Sequence, residues 1–124
     1  MKRKVLVVLG RNGHPGWSGL LRGYGWTVET AELGTRAVSA ANAFAPDAIL
    51  WDANREIAES IRLIRTLGWV HWIPILVLVD AAQMEFAARL DALPFVRLLR
   101  VPVDAHDVLA FLRDTSRVEA PTLA

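Results

Sequence analysis

The chain has no cysteine. That absence excludes disulfide frameworks, thiolate zinc sites and cysteine nucleophiles together, and it fits a reducing compartment. Long hydrophobic runs are missing as well. The basic start Met1-Lys2-Arg3-Lys4 leads only into Val5–Leu9, which is too short for a signal peptide. Ile73–Val79 carries Pro74 and falls far below the ~20 apolar residues of a spanning helix. No membrane association is expected, and the sequence reads as soluble and cytoplasmic. Neither sign of charge is in excess: 14 Lys and Arg face 13 Asp and Glu, a formal +1. Such a balance gives no electrostatic footprint for a phosphate backbone and argues against nucleic-acid binding. His14, His71 and His106 share no metal-ligand spacing, and no Ser-His-Asp set can be assembled, so no enzymatic activity is assigned. What remains is a 124-residue chain, 53% hydrophobic and 22% charged, enough for one domain with a sizeable core.

Short apolar runs alternate with longer amphipathic segments. Val5–Leu9 is apolar on both faces, as a central strand of a parallel sheet is. The stretch from Gly10 to Gly25 is rich in glycine, so any helix there is short and weak. Trp26–Thr30 alternates and suggests a strand near an edge. Ala37, Ala40, Ala41 and Phe44 form a helical stripe that Pro46 stops. Ala48–Trp51 is another buried strand, ending at Asp52. Ile57, Ile61, Ile64 and Leu67 recur at helical spacing, with Gly68 expected to end the segment. Ile75–Val79 is a fourth strand, followed by a helix carrying Ala82, Phe86, Leu90 and Leu93. Val96–Leu99 is a weaker fifth strand. Asp104 then caps a last helix with Ala105, Val108, Leu109 and Leu112 on its apolar side. Residues 1–117 are read as one domain and 118–124 as a tail or linker stub. Five strands alternating with five helical segments require an α/β fold, a parallel sheet with helices on both faces. Ligands of such sheets bind at the carboxyl ends of the strands.

At those strand ends the sequence resembles a response-regulator receiver domain, the CheY-like signalling module. Gly25-Trp26-Thr27-Val28 through Pro46-Asp47-Ala48-Ile49-Leu50-Trp51-Asp52 matches the family's stretch up to its phospho-acceptor without a gap. Ala31-Glu32, Gly34 and Ala37 fall where receivers have similar residues. Ile73–Val79 looks like the fourth strand, and Pro102 matches the proline after the fifth. The resemblance covers nearly the whole chain and is weakest over Gly10–Gly25. It implies a flavodoxin-like (βα)5 three-layer sandwich with a parallel five-stranded sheet of order 2-1-3-4-5.

The resemblance also implies a switch pocket, and here its positions are altered: Leu9, Gly10, Asn54, Val79, Asp80, Val101 and Pro102. Receivers place an acidic pair after strand 1 to hold Mg²⁺; Leu9 and Gly10 stand there. Val79 replaces the hydroxyl at the end of strand 4, and Val101 replaces the lysine before the proline. Asp52 alone remains as a phospho-acceptor candidate. One aspartate with a backbone carbonyl near Asn54 is a poor cage for an octahedral, oxygen-seeking ion. Val101 supplies no cation to a migrating phosphoryl group, and Asp80 adds a negative charge close to Asp52. No metal or cofactor is therefore expected, although intact receivers use Mg²⁺. Arg11, Arg55 or Arg100 could pair with Asp52 and hold the cleft in one state.

The leading expectation is an atypical receiver that acts independently of phosphorylation, as a protein-interaction or dimerisation module. Receivers transmit state through the fourth helix, fifth strand and fifth helix. Arg89, Asp91, Arg97, Asp107 and Arg113 on these segments offer mixed charge suited to self-complementary pairing in a homodimer. A phosphorelay acceptor still phosphorylated on Asp52 is the alternative. A second alternative is nucleotide or phosphate binding by the Gly10–Gly16 loop, although its G-x-x-G-x-x-G spacing departs from both the dinucleotide fingerprint and the P-loop. Trp51 should face away from Asp52 into the core. Trp26 should be core as well, while Trp69 and Trp72 either cap the sheet edge or form a partner-binding patch.

Overall fold

A computed structural model describes residues 3–11, 16–54, 57–71, 73–88 and 95–115. Strands β1 (Lys4–Leu9), β2 (Thr27–Glu32), β3 (Ala48–Asn54), β4 (Ile75–Asp80) and β5 (Val96–Val101) alternate with helices α1 (Trp17–Gly23), α2 (Thr35–Phe44), α3 (Ile57–His71), α4 (Met84–Ala87) and α5 (Ala105–Thr115). All pairings are parallel, and the sheet order is β2-β1-β3-β4-β5. This is the expected order, and it follows from right-handed crossovers that put helices on both faces. Among the described residues no helix is long and apolar enough to cross a membrane.

Alternation along the three central strands builds two apolar layers. Leu6, Val8, Ile49, Trp51, Ile75, Val77 and Val79 face α2 and α3, meeting Ala37, Ala41, Leu63 and Ile64. Val5, Val7, Ala48, Leu50, Leu76 and Leu78 face α1 and α5, meeting Trp17, Leu21, Val108 and Leu112. The edge strand β2 is half-exposed along its length. Trp51 lies in the first layer, away from Asp52, and its indole N–H donates to Ser60 Oγ at 2.9 Å. Both residues are fully buried, so each satisfies a polar group that water cannot reach.

Two local expectations need correction. Helix α3 runs through Gly68 to His71; a helical glycine costs only about 1 kcal/mol against alanine, which neighbouring turns can absorb. Trp26 is half-buried rather than core, because it enters the edge strand under Arg3, whose guanidinium carbon lies 6.0 Å from the indole centroid. The sequence expectations at Phe86, Leu90, Leu93, Trp69, His71 and Trp72, and the tail 118–124, concern side chains or segments outside the described residues.

Helix α1 is as short as its glycines suggest, and one of those glycines closes it. Trp26 N donates to Leu21 O at 3.1 Å and Gly25 N to Arg22 O at 3.0 Å, with Gly25 at φ +92°. This is a Schellman motif, and Trp26 packs against the apolar cluster that contains Leu21. A Cβ on Gly25 would meet nothing within 4 Å, so any cost of substitution is backbone strain. Gly25→Ala is expected to lose about 1–2 kcal/mol of stability, read as a lower urea midpoint at constant slope. An unchanged midpoint would mean that the turn relaxes without cost.

Candidate functional site

The carboxyl ends of β1, β3, β4 and β5 converge at one edge of the sheet. Leu9 is paired with Asp52, Asp52 with Leu78, and Asp80 with Val101; a bulge between Asp52 and Asn54 brings Asn54 opposite Val79. Gly10 N donates to the Asp52 carbonyl at 3.0 Å, fixing the chain that leaves β1 against the end of β3. The Val101–Pro102 peptide is cis.

Asp52 is 4% exposed. Its Oδ2 accepts a hydrogen bond from Trp17 Nε1 at 3.3 Å. Trp17 opens α1, and the crossover from β1 delivers the first turn of that helix to the carboxyl edge. Strand alternation sets Asp52 on the same face as Leu50, the face that α1 covers. The carboxylate therefore lies against an apolar layer and receives an indole donor there.

The other altered positions surround it without adding a charge suited to phosphate. Leu9 and Val101 are half-buried and pack on the layer that holds Trp17. Val79 is fully buried in the opposite layer with Trp51. The Asp80 carboxylate caps the turn after β4, accepting from Ala82 N at 3.0 Å. Asn54 lies in β3 at the bulge, and Pro102 is exposed. Of the three arginines considered as partners of Asp52, Arg11 and Arg100 are exposed and Arg55 lies outside the described residues. Arg11 lines a cleft of about 830 Å³ with Leu9, Gly10, Glu32, Leu33 and Glu59. Asn12 to Pro15 of the Gly10–Gly16 loop also fall outside the described residues.

Among the described residues no group of three His, Cys, Asp or Glu side chains could hold a metal ion. The donor set at Asp52 does not fit Mg²⁺: an octahedral ion needs hard oxygens, and Leu9, Gly10 and Val101 bring hydrocarbon or none. In-line phosphoryl transfer also needs a free carboxylate oxygen and neutralisation of the equatorial charge. Here Oδ2 bonds an indole, and the Val101 side chain that ends β5 carries no charge.

Of the proposed interaction face, Arg97, Asp107 and Arg113 are described, and all three are exposed. Arg113 lines a groove with Trp26 and His106. Arg89 and Asp91 lie outside the described residues. The residue that sequence reasoning missed is Trp17. A usable signal existed, since the first residue of a helix following a strand in a parallel sheet arrives at the functional edge.

No protein-family model and no curated protein sequence matches the chain. Solved structures do. The Vibrio cholerae chemotaxis response regulator CheY4 is 23% identical with a TM-score of 0.74, over 93% of this chain and 99% of that one. The non-phosphorylated HemR receiver domain of Leptospira biflexa is 19% identical with a TM-score of 0.78, over 97% and 98%. A receiver domain from Bermanella marisrubri is 21% identical with a TM-score of 0.70, over 93% and 98%. The chain has the CheY-like receiver fold.

Proposed function

We propose that the chain is a receiver-type signalling module whose switch pocket does not run on phosphorylation, and which works through protein contacts. The observation that carries this reading is the state of Asp52: buried, bonded by Trp17, and flanked by Leu9, Gly10 and Val101 instead of carboxylates and a lysine. A phosphoryl group on that oxygen would have to displace the indole and sit against the apolar layer of Leu9 and Val101, and Val101 offers no ammonium to offset its charge. The contact surface in this reading is the face of α4, β5 and α5, where exposed Arg97 on β5 and Asp107 on α5 offer opposite charges for a two-fold pairing.

Intact-mass measurement after incubation with acetyl phosphate and Mg²⁺ tests the pocket. The expected result is no phosphoryl adduct; an adduct that Asp52→Asn abolishes would establish a phosphorelay acceptor instead. Sedimentation equilibrium tests the contact surface separately. Self-association that weakens in Arg97→Glu and returns when Asp107→Arg is added is the expected pattern, and a monomer at all concentrations removes the homodimer.

A further inference from the structure

A second concavity does not include Asp52 or its neighbours in the lining. It is a groove of about 540 Å³ between α5 and the turn that joins α1 to β2, lined by Arg3, Tyr24, Trp26, His106, Leu109 and Arg113 among others. We propose that this groove binds an extended acidic peptide segment of a partner protein.

Three observations carry the proposal. The first is charge. None of the residues lining the groove is acidic, and two are arginines, while the whole chain is nearly neutral at +1; the positive wall is therefore a local feature. Arg3 is held over the face of Trp26, so one cation is fixed against the apolar floor. The second is exposed apolar surface. Tyr24 is 63% exposed, the one large hydrophobic residue so exposed among those described, and it borders the groove beside half-buried Trp26. Aromatic and arginine side chains together are the usual anchors of protein recognition.

The third observation is spacing, and it selects the ligand. His106, Leu109 and Arg113 lie three and four residues apart, hence on one face of α5. His106 and Arg113 stand at its ends, about 10.5 Å apart along the axis at ~1.5 Å per residue. A segment in the polyproline II form advances ~3.1 Å per residue and turns once every three, so side chains three positions apart share a face and span about that interval. The matching segment carries acidic residues three positions apart, with an apolar side chain between them set against Leu109 and Trp26. A nucleic acid fits less well, because two arginines in the groove make isolated cationic points and not a continuous basic track. Arg113 belongs to both surfaces, but Arg97 and Asp107, the pair varied above, do not line the groove, so the two surfaces can be tested separately.

The experiment is selection of a phage-displayed random peptide library on the full chain, with counter-selection on the Arg3→Glu/Arg113→Glu variant. Enriched sequences should share two acidic residues three apart around an aliphatic or aromatic residue. A synthetic peptide of that sequence should change tryptophan fluorescence saturably, bind more weakly as salt rises, and lose about tenfold or more in affinity to the double variant. Tyr24→Ala should weaken it too. If the charge reversal disturbs folding by circular dichroism, Arg3→Gln/Arg113→Gln replaces it. Failure of any sequence to enrich over the double variant overturns the proposal, as does equal binding of the enriched peptide to both proteins. Saturable binding of a ten-nucleotide single-stranded oligonucleotide in the same groove would also overturn it, by assigning the groove to nucleic acid.

Discussion

Installing Leu9→Asp, Gly10→Asp and Val101→Lys together is expected to confer the phosphorylation on Asp52 that the proposed reading denies to the natural sequence. The rate gain over the natural sequence should be at least about 10²–10³, since charge neutralisation and metal positioning supply most of the catalysis in phosphoryl transfer. The backbone already places the new groups. Leu9 is paired in register with Asp52, and Gly10 is bonded to the Asp52 carbonyl, so carboxylates at both positions start beside the existing one. Together they offer three acidic groups to an ion satisfied by one or two carboxylates and several waters. Val101 ends β5 on the layer that holds Trp17, and a lysine stem there can stay in apolar contact while its ammonium reaches the edge. Val79 is left alone because it is fully buried beside Trp51, where a hydroxyl would lack a partner. Magnesium titration followed by tryptophan fluorescence should saturate for the triple variant and leave the natural protein unmoved. Phosphoryl mass should appear with acetyl phosphate and vanish when Asp52→Asn is added. If the triple variant binds Mg²⁺ yet stays inert, the barrier is the indole on Oδ2, and Trp17→Phe in that background should release it. A natural protein that gains the mass unaided would refute the premise.

The fold was legible because its signals are repeated and local. Three central strands read as unbroken apolar runs, and the helices between them as amphipathic stripes, so one misplaced boundary could not change the class. Gly68 shows where a local rule weakens. A glycine ends a helix when its backbone takes positive φ and the following N–H groups fold back onto the last carbonyls; Gly25 does this, whereas α3 passes through Gly68. The letter is the same in both places, and only the backbone conformation it takes differs. The site was legible in its departures and not in its contacts. Leu9, Gly10, Val79 and Val101 stand out by residue type alone as departures from the pocket that the resemblance implies. Which donor reaches Asp52 depends on where the first turn of α1 docks, a tertiary fact about residues 35 positions apart. Strand alternation, followed one step further, would have set Asp52 facing α1 and brought Trp17 into view.

Replacing Trp17 with phenylalanine should cost about 2–4 kcal/mol, combining a lost hydrogen bond to a buried carboxylate with the volume of the missing ring. Trp17 is 6% exposed and packs with Leu21 in the layer beneath α1 and α5, so phenylalanine fills only part of its space. Asp52→Asn should cost less. The amide keeps an oxygen that can accept from the indole, and removing a buried charge returns some desolvation energy. The two contributions to the Trp17 loss separate in a double-mutant cycle measured by urea unfolding. With Asp52→Leu as the second change, Trp17→Phe should cost about 1–2 kcal/mol less than in the natural protein, because no acceptor is left for the indole to satisfy. That difference is the energy with which the pocket holds its acid closed. It also sets what a signal must supply: a partner that rearranges α1 would have to replace the indole with another donor or admit water to Asp52. If the two substitutions simply add, Trp17 is packing alone, and the closed pocket has no energetic lock for a partner to act upon.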